Sequence, residues 1–361
     1  MPIISCYPKY SELDTLLNNY GKAKTLNIFL DLKNSLGLLY VKNFAENMLG
    51  VSENTGKPNS MIFLSWLDWI SYHYRYCMQK GIDFHIHTFA DVGEYQYHKS
   101  IYKEYKSKRS ITKKRTTSDI CDNEDLHKVV LKNIETVMKA SRKFYHTYGT
   151  YLSFCESDFV PEYYIKNRYS DESNLNIIYS SDRDMIQTLK YPNTVLFMRK
   201  SNGTKEYLNY KNWTKTILEN HTKNDRLKEA FKDLKVENYV FMKSIMGDIG
   251  DDISGVGGLG PIKAAGYVAE VQKDIDLANI NQLMEYADKH KDDPSTLGTW
   301  SSTINEKKDI LYRNYRLVSF EELMQNLSIP TLKELERDDE KLTLEQTVDT
   351  IKLVQEKASP W

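Results

Sequence analysis

No apolar run in this chain is long enough to cross a membrane, and its start lacks a basic segment followed by an apolar one. Neither a spanning helix nor a secretory signal is expected. Cysteine is scarce: Cys6, Cys77, Cys121 and Cys155 stand far apart, with no C-x-x-C pair. That spacing argues against a zinc knuckle and for free thiols in a reducing cytoplasm. No internal repeat is found. Net charge is only −1, so no overall basic excess marks a nucleic-acid binder. The distribution says more than the sum. Between positions 99 and 115 there are eight basic residues and one acid, so opposed fields are expected. The 361 residues, 40% hydrophobic and 27% charged, allow one large or two modest soluble domains with a real core.

The stretch 244–268 organises the rest. Asp248, Asp251 and Asp252 lie close together, and then Gly255, Gly257, Gly258 and Gly260 lead to Pro261. Glycines at that density let a backbone turn tightly and approach another backbone. A turn feeding a helix N-terminus points amide N–H groups outward, which suits a phosphate. Carboxylates beside a phosphate repel it unless a divalent cation lies between them. The stretch therefore reads as a nucleic-acid backbone clamp beside a metal centre. The plain alternative is a glycine-rich surface loop with solvated acids.

Upstream, residues 27–32 read as a buried parallel strand ending on Asp31, at the edge where open α/β sheets bind ligands. Residues 59–80 read as a core helix. Residues 84–90 are a second strand, closed by Asp91; His85 and His87 on it are read as structural. The basic, tyrosine-rich run from 97 can neutralise phosphates and stack on bases, although a solvated helix face is the commoner fate of such a run. Residues 124–146 are a long helical pattern, followed by Glu156 and Asp158. Residues 176–180 are a strand leading to Asp182 and Asp184, with Gln187 opening a helix, and 193–199 are one more strand. Beyond 270 the pattern is mostly helical.

In order, these motifs resemble the 5′-nuclease superfamily: flap endonucleases, the 5′-nuclease domain of bacterial DNA polymerase I and phage 5′-3′ exonucleases. The resemblance covers roughly residues 26–320. The stretch from Gly247 to Lys263 is similar to its helix–hairpin–helix (helix–three-turn–helix) signature, with Asp252 where asparagine is usual and Lys263 one place late. Asp31 to Asn34 is similar to its first motif, with Leu32 in place of glycine. Tyr105-Lys106-Ser107-Lys108-Arg109 is similar to its Y-K-x-x-R arch pattern. Glu156 and Asp158 match its acidic helix start, with Phe159 where phage members carry another aspartate. Asp182 and Asp184 match its S-x-D-x-D motif, and 309–318 resemble the returning helix of phage RNase H-type members.

The resemblance implies an α/β, PIN-like 5′-nuclease fold: a mostly parallel central sheet flanked by helices, a helical arch and the helix–hairpin–helix. The expected division is a peripheral leader 1–24, a catalytic domain 25–205 with the arch at about 97–125, a helical DNA-binding region 206–329 and a peripheral helical tail 330–361. It implies two Mg²⁺ or Mn²⁺ ions held by Asp31, Asp91, Glu156, Asp158, Asp182, Asp184, Asp248 and Asp251. Glu156, Asp158 and Asp182 would lie nearest one ion, and Asp184, Asp248 and Asp251 nearest the other. Lys106 and Arg109 would grip the scissile phosphate. His98 or Lys99, with Gly255, Gly258, Gly260 and Lys263, would hold DNA, and a K⁺ ion could join the hairpin. The implied activity is 5′-3′ exonuclease or flap endonuclease action, with RNA-primer removal, on DNA with a 5′ flap or nick and on RNA–DNA hybrid. Replication proteins such as a polymerase, clamp or single-strand-binding protein are the implied partners. A monomer in the cytoplasm, the host's if the source is a bacteriophage, is expected. Two other readings stand beside this one: a PIN-type ribonuclease, and a catalytically impaired DNA-binding protein derived from a nuclease.

Overall fold

The fold is built on a sheet of order β3-β2-β1-β4-β5-β6. A computed structural model describes residues 8–32, 61–91, 95–107, 124–199, 205–219 and 225–358. Strands β1 (Thr25–Asp31), β2 (Asp83–Asp91), β3 (Thr147–Leu152), β4 (Asn174–Tyr179) and β5 (Thr194–Arg199) are parallel neighbours, and β6 (Lys205–Leu208) closes the edge antiparallel to β5. From β1 the chain steps outward to β2 and β3, then returns to the other flank of β1 for β4. The order therefore reverses between β1 and β4. At such a switch point the loops leaving the two strands diverge and open a crevice at the carboxyl edge.

Burial on both faces explains the near-continuous apolar strands. Leu26, Ile28 and Leu30 of β1 pack with Trp66, Ile70 and Tyr74 of the helix Met61–Lys80 and with Val137 of the helix Glu124–Lys143. Phe29 points the other way and joins Phe89, Ile178 and a large helical cluster. Asn27 is the polar exception. Its Nδ2 donates to Asn174 Oδ1 and Asn176 Oδ1, each at 3.0 Å, pinning β1 to β4. That satisfies the Asn27 amide nitrogen, which would otherwise cost stability, while its Oδ1 is buried without a hydrogen-bond partner among the described residues.

Strands β3 and β6 were not anticipated from the pattern. The first reads TYGTYL, without aliphatic alternation, and the second is a short edge strand carrying charge. Gly149 shows why β3 still packs. A Cβ there would lie 2.7 Å from Met138 O, so the helix Glu124–Lys143 rests directly on the strand backbone.

The expected division needs correcting at both ends and in the middle. The leader contains the helix Tyr10–Asn19, whose Leu13 is buried and packs in the sheet's core. The tail is not peripheral either. Ile351 is buried in that same core, and Lys341 Nζ donates to Arg142 O at 2.9 Å and Thr147 O at 2.7 Å. Across the expected boundary near 205, one apolar cluster joins Phe29 and Ile178 of the sheet to Ile245, Val256, Val268 and Leu311 of the helical part. Among the described residues, no helix is long and apolar enough to cross a membrane.

Candidate active site

Acids from separate segments meet at the carboxyl edge of the switch point. Asp31 ends β1 and Asp91 ends β2, both buried. Glu156 and Asp158 follow β3, and Asp182 follows β4 as the N-cap of the 3-10 helix Arg183–Lys190. A polar chain links them. Ser180 Oγ donates to Asp31 Oδ2 at 2.8 Å, and the Asp182 N–H donates to Ser180 Oγ at 3.1 Å. The Asp184 N–H donates to Asp182 Oδ1 at 2.8 Å, and Ser157 Oγ reaches Asp91 Oδ2 at 3.4 Å. Gln187 lies within the 3-10 helix rather than opening an α-helix. Its Nε2 donates to Val318 O at 2.8 Å, tying this edge to the helix Lys308–Val318.

The helix–hairpin–helix brings the remaining acids. The helix Tyr239–Met246 ends at Gly247, and Asp248 and Ile253 then pair as a β-bridge through N–H···O bonds of 2.9 and 2.8 Å. Asp248 Oδ1 accepts from the Gly250 N–H at 2.8 Å and caps the tight turn. Asp252 sits at φ 62°, a left-handed conformation that asparagine and aspartate tolerate best, which is why the Asn-to-Asp change leaves the turn intact. Gly258 has φ 79°, and a Cβ at Gly255 would strike Met246 O, so neither position accepts a side chain without strain. Gly260 caps the helix Pro261–Asp274, and Lys263 is exposed on its first turn.

Two lysines thread between the carboxylates. Lys106 pairs with Glu156 and stands 3.4 Å from Asp251 Oδ2. Lys243 pairs with Asp184 and stands 3.0 Å from Asp248 Oδ2. Tyr105 OH donates to Glu156 Oε2 at 2.8 Å and also reaches Asp251 Oδ2 at 3.3 Å. In this lysine network Glu156 is joined to Asp251, and Asp184 to Asp248.

The electrostatics distinguish Asp158 from Asp248. Burial pushes the Asp158 carboxyl well above the usual carboxylate range, and repulsion from Asp182, Asp31 and Asp91 adds to it, with only Lys106 opposing. At Asp248 burial also disfavours the charge, but Lys243 and the Gly250 and Asp251 N–H groups outweigh it and hold the carboxyl low. Lysines thus stand beside the rim carboxylates, while the Asp158 carboxyl at the centre is raised. Among the described residues, no three His, Cys, Asp or Glu side chains converge on one ligating position as they stand. The donors are nonetheless all carboxylate oxygens around excess negative charge, which fits a hard divalent cation and not a soft metal.

One expected DNA contact is corrected. His98 is buried, its ring stacked on Tyr105 with centroids 4.7 Å apart, and burial lowers its pKa to about 3. It is a neutral packing residue and not a phosphate ligand. Lys99 is exposed on the short helix Gln96–Ile101. The helix stops at Ile101, and Lys106 follows in a turn with φ 54°. Asn34, Arg109 and most of the arch lie outside the described residues. Pattern reading passed over Lys243, although it is the one charge in the otherwise apolar segment YVFMKSIM. His87 is buried and bonds Tyr169 OH at 3.1 Å, a structural role as expected.

Solved structures share the fold that carries this sheet order, switch-point crevice and helix–hairpin–helix. The T5 5′-exonuclease with bound zinc superposes with a TM-score of 0.55 at 15% identity, over 91% of this chain and 99% of that one. The bacteriophage T5 flap endonuclease in a pseudo-enzyme–product complex with DNA and metal ions gives 0.53 at 16%, over 92% and 99%. In sequence, the chain is 29% identical over 162 residues to the 5′-3′ exonuclease of Mycoplasma genitalium, covering 44% of this chain and 47% of that protein. It is 29% identical over 164 residues to that of Mycoplasma pneumoniae, covering 45% and 46%. The chain thus spans about half the length of the curated relatives it matches. No protein-family model matches it.

Proposed function

We propose that the chain is a divalent-metal-dependent 5′ nuclease that hydrolyses phosphodiesters at 5′ flaps, nicks and RNA–DNA hybrid during DNA replication or repair. The observation carrying this reading is the convergence of Asp31, Asp91, Asp158 and Asp182 at the carboxyl edge of the switch point. Folding does not gather like charges without a compensating ligand, and the relatives' names and the metal-bound neighbours supply the class of that ligand.

The acids of the crevice, with Glu156, Asp184, Asp248 and Asp251, would hold Mg²⁺ or Mn²⁺. When bound, such ions supply Lewis-acid stabilisation of charge on a phosphoryl oxygen. Ser180 and Ser157 orient the carboxylates of Asp31 and Asp91. Lys106 meets the scissile phosphate from the arch side and offsets charge that builds on its non-bridging oxygens. Tyr105, held on Glu156 and Asp251, keeps Lys106 at the mouth of the crevice. Lys243 positions Asp184 and Asp248. The hairpin from Gly255 to Gly260, with Lys99 and Lys263 exposed, grips the duplex backbone away from the cut.

The test is cleavage of a 5′-labelled flap duplex and of a nicked RNA–DNA duplex, with Mg²⁺ and with chelator. Metal-dependent cutting at the junction that leaves a 5′-phosphate on the downstream product is the expected result. Tight binding without cutting under either metal would leave a DNA-binding protein instead.

A further inference from the structure

Lys307 stands where two helices meet. It follows the helix Thr296–Glu306 and precedes Lys308–Val318. Its backbone is held on both sides: the N–H donates to Ile304 O at 3.1 Å, and its carbonyl accepts from Ile310 and Leu311 at 3.0 and 3.1 Å. From this fixed base the side chain crosses to the hairpin and lies on Gly257. A Cβ added at Gly257 would collide with Lys307 Nζ, with Cε 3.6 Å away. Gly257 does not have a left-handed backbone, so its missing side chain is explained by this approach and not by φ. The neighbouring acids Glu306 and Asp309 are exposed, and among the described residues the ammonium has no hydrogen bond or ion pair.

A lysine normally extends into water, because holding its chain in one place costs rotamer entropy. Here it is led over a glycine-lined loop with its charge unspent. We propose that Lys307 is a phosphate-binding residue of the hairpin, supplying the cation of a clamp on the backbone of double-stranded DNA. The inference rests on the reading that this protein binds duplex DNA, but not on its cutting it. Lys307 comes from a different segment than the hairpin, so the clamp closes only when the helical region is folded around it.

Counterion release makes the proposal measurable. Each phosphate neutralised contributes about 0.9 to the slope of log affinity against log salt. With chelator present, binding is measured for a blunt duplex of about 20 base pairs and for a single strand of that length. Lys307→Ala should weaken duplex binding roughly 3- to 10-fold at about 100 mM salt and lower the slope by about 0.9. Lys307→Arg should restore both. Gly257→Ala pushes against only the flexible end of the lysine, so it should fold normally yet lose part of the affinity. Added to Lys307→Ala, it should lose nothing more. Unfolding temperatures equal to wild type exclude a folding artefact, and a slope change is something lost packing would not produce. Unchanged affinity and slope in Lys307→Ala would overturn the proposal, as would a wild-type protein that does not bind duplex. A wild type that cuts while Lys307→Ala binds normally removes the clamp and keeps the nuclease. A wild type that shows the slope change but never cuts keeps the clamp and removes the nuclease.

Discussion

The backbone N–H of Lys106 donates to the carbonyl of Asp251 at 3.0 Å, while its ammonium lies 3.4 Å from the same residue's carboxylate. The foot of the arch and the turn of the helix–hairpin–helix are therefore joined twice at one point. Tyr95 and Tyr105 flank the ammonium, at 4.8 and 5.0 Å from their ring centroids. The turn that carries Asp251 can thus affect Lys106, the residue proposed to meet the cut phosphate.

Lys106 itself sits at φ 54°, where a side chain costs about 1–2 kcal/mol relative to glycine. Lys106→Gly and Lys106→Ala both remove the ammonium, and each should lower single-turnover cleavage about 10²- to 10³-fold. The two should differ in stability, with the glycine variant more stable by about 1 kcal/mol in urea unfolding. Equal activity of Lys106→Ala and wild type would remove the residue from the chemistry.

Asp158→Asn should separate function from stability. The wild-type carboxyl is buried among Asp182, Asp31 and Asp91, so the metal-free protein carries their repulsion. The neutral amide removes it. Metal-free Asp158→Asn should unfold at a higher temperature, by about 1 °C for each kcal/mol gained, and should cut nothing. Mg²⁺ should raise its unfolding temperature less than it raises that of wild type. A lower unfolding temperature without metal would contradict the charge account.

Acid should weaken the fold through His73. Its Nδ1 faces Trp69 O at 2.8 Å and its Nε2 faces Tyr179 OH at 3.0 Å, and burial lowers its pKa to about 4. The folded ring therefore resists a proton that the unfolded chain accepts near pH 6.5. His73's share of stability is full above that pH and falls toward pH 4, at up to about 1.4 kcal/mol per unit, beside the shares of the other histidines whose pKa burial lowers. Urea unfolding across this window checks the slope, and His73→Gln should flatten it by about that amount.

The tail should prove structural. Ile351 is buried against the sheet's core, so Ile351→Ala should cost about 2–5 kcal/mol. Urea unfolding of the full chain reads this directly. A cost below about 0.5 kcal/mol would return the tail to the periphery.

The sheet's centre was legible because β1, β2 and β4 end in acids after apolar runs, and local sequence fixes both features. The acids could be named from spacing, but their partners could not. Lys243 reaches Asp184 across the fold, and no local pattern encodes that pairing. His98 misled for the converse reason: beside Lys99 it looks basic, but only tertiary packing against Tyr105 makes it buried and neutral. Leader and tail read as polar because each buries only a narrow stripe, Leu13 in one and Leu335 and Ile351 in the other. Lys307 was invisible because its meaning lies in a glycine fifty positions away.

The most direct measurement sets Asp182→Ala beside wild type on a 5′-labelled flap duplex, reading cleavage with Mg²⁺ and binding with chelator. The account predicts metal-dependent cutting by wild type, and binding within a few-fold of wild type but no cutting by the variant. Cutting by Asp182→Ala at the wild-type rate, or none by wild type with Mg²⁺ or Mn²⁺, would contradict it.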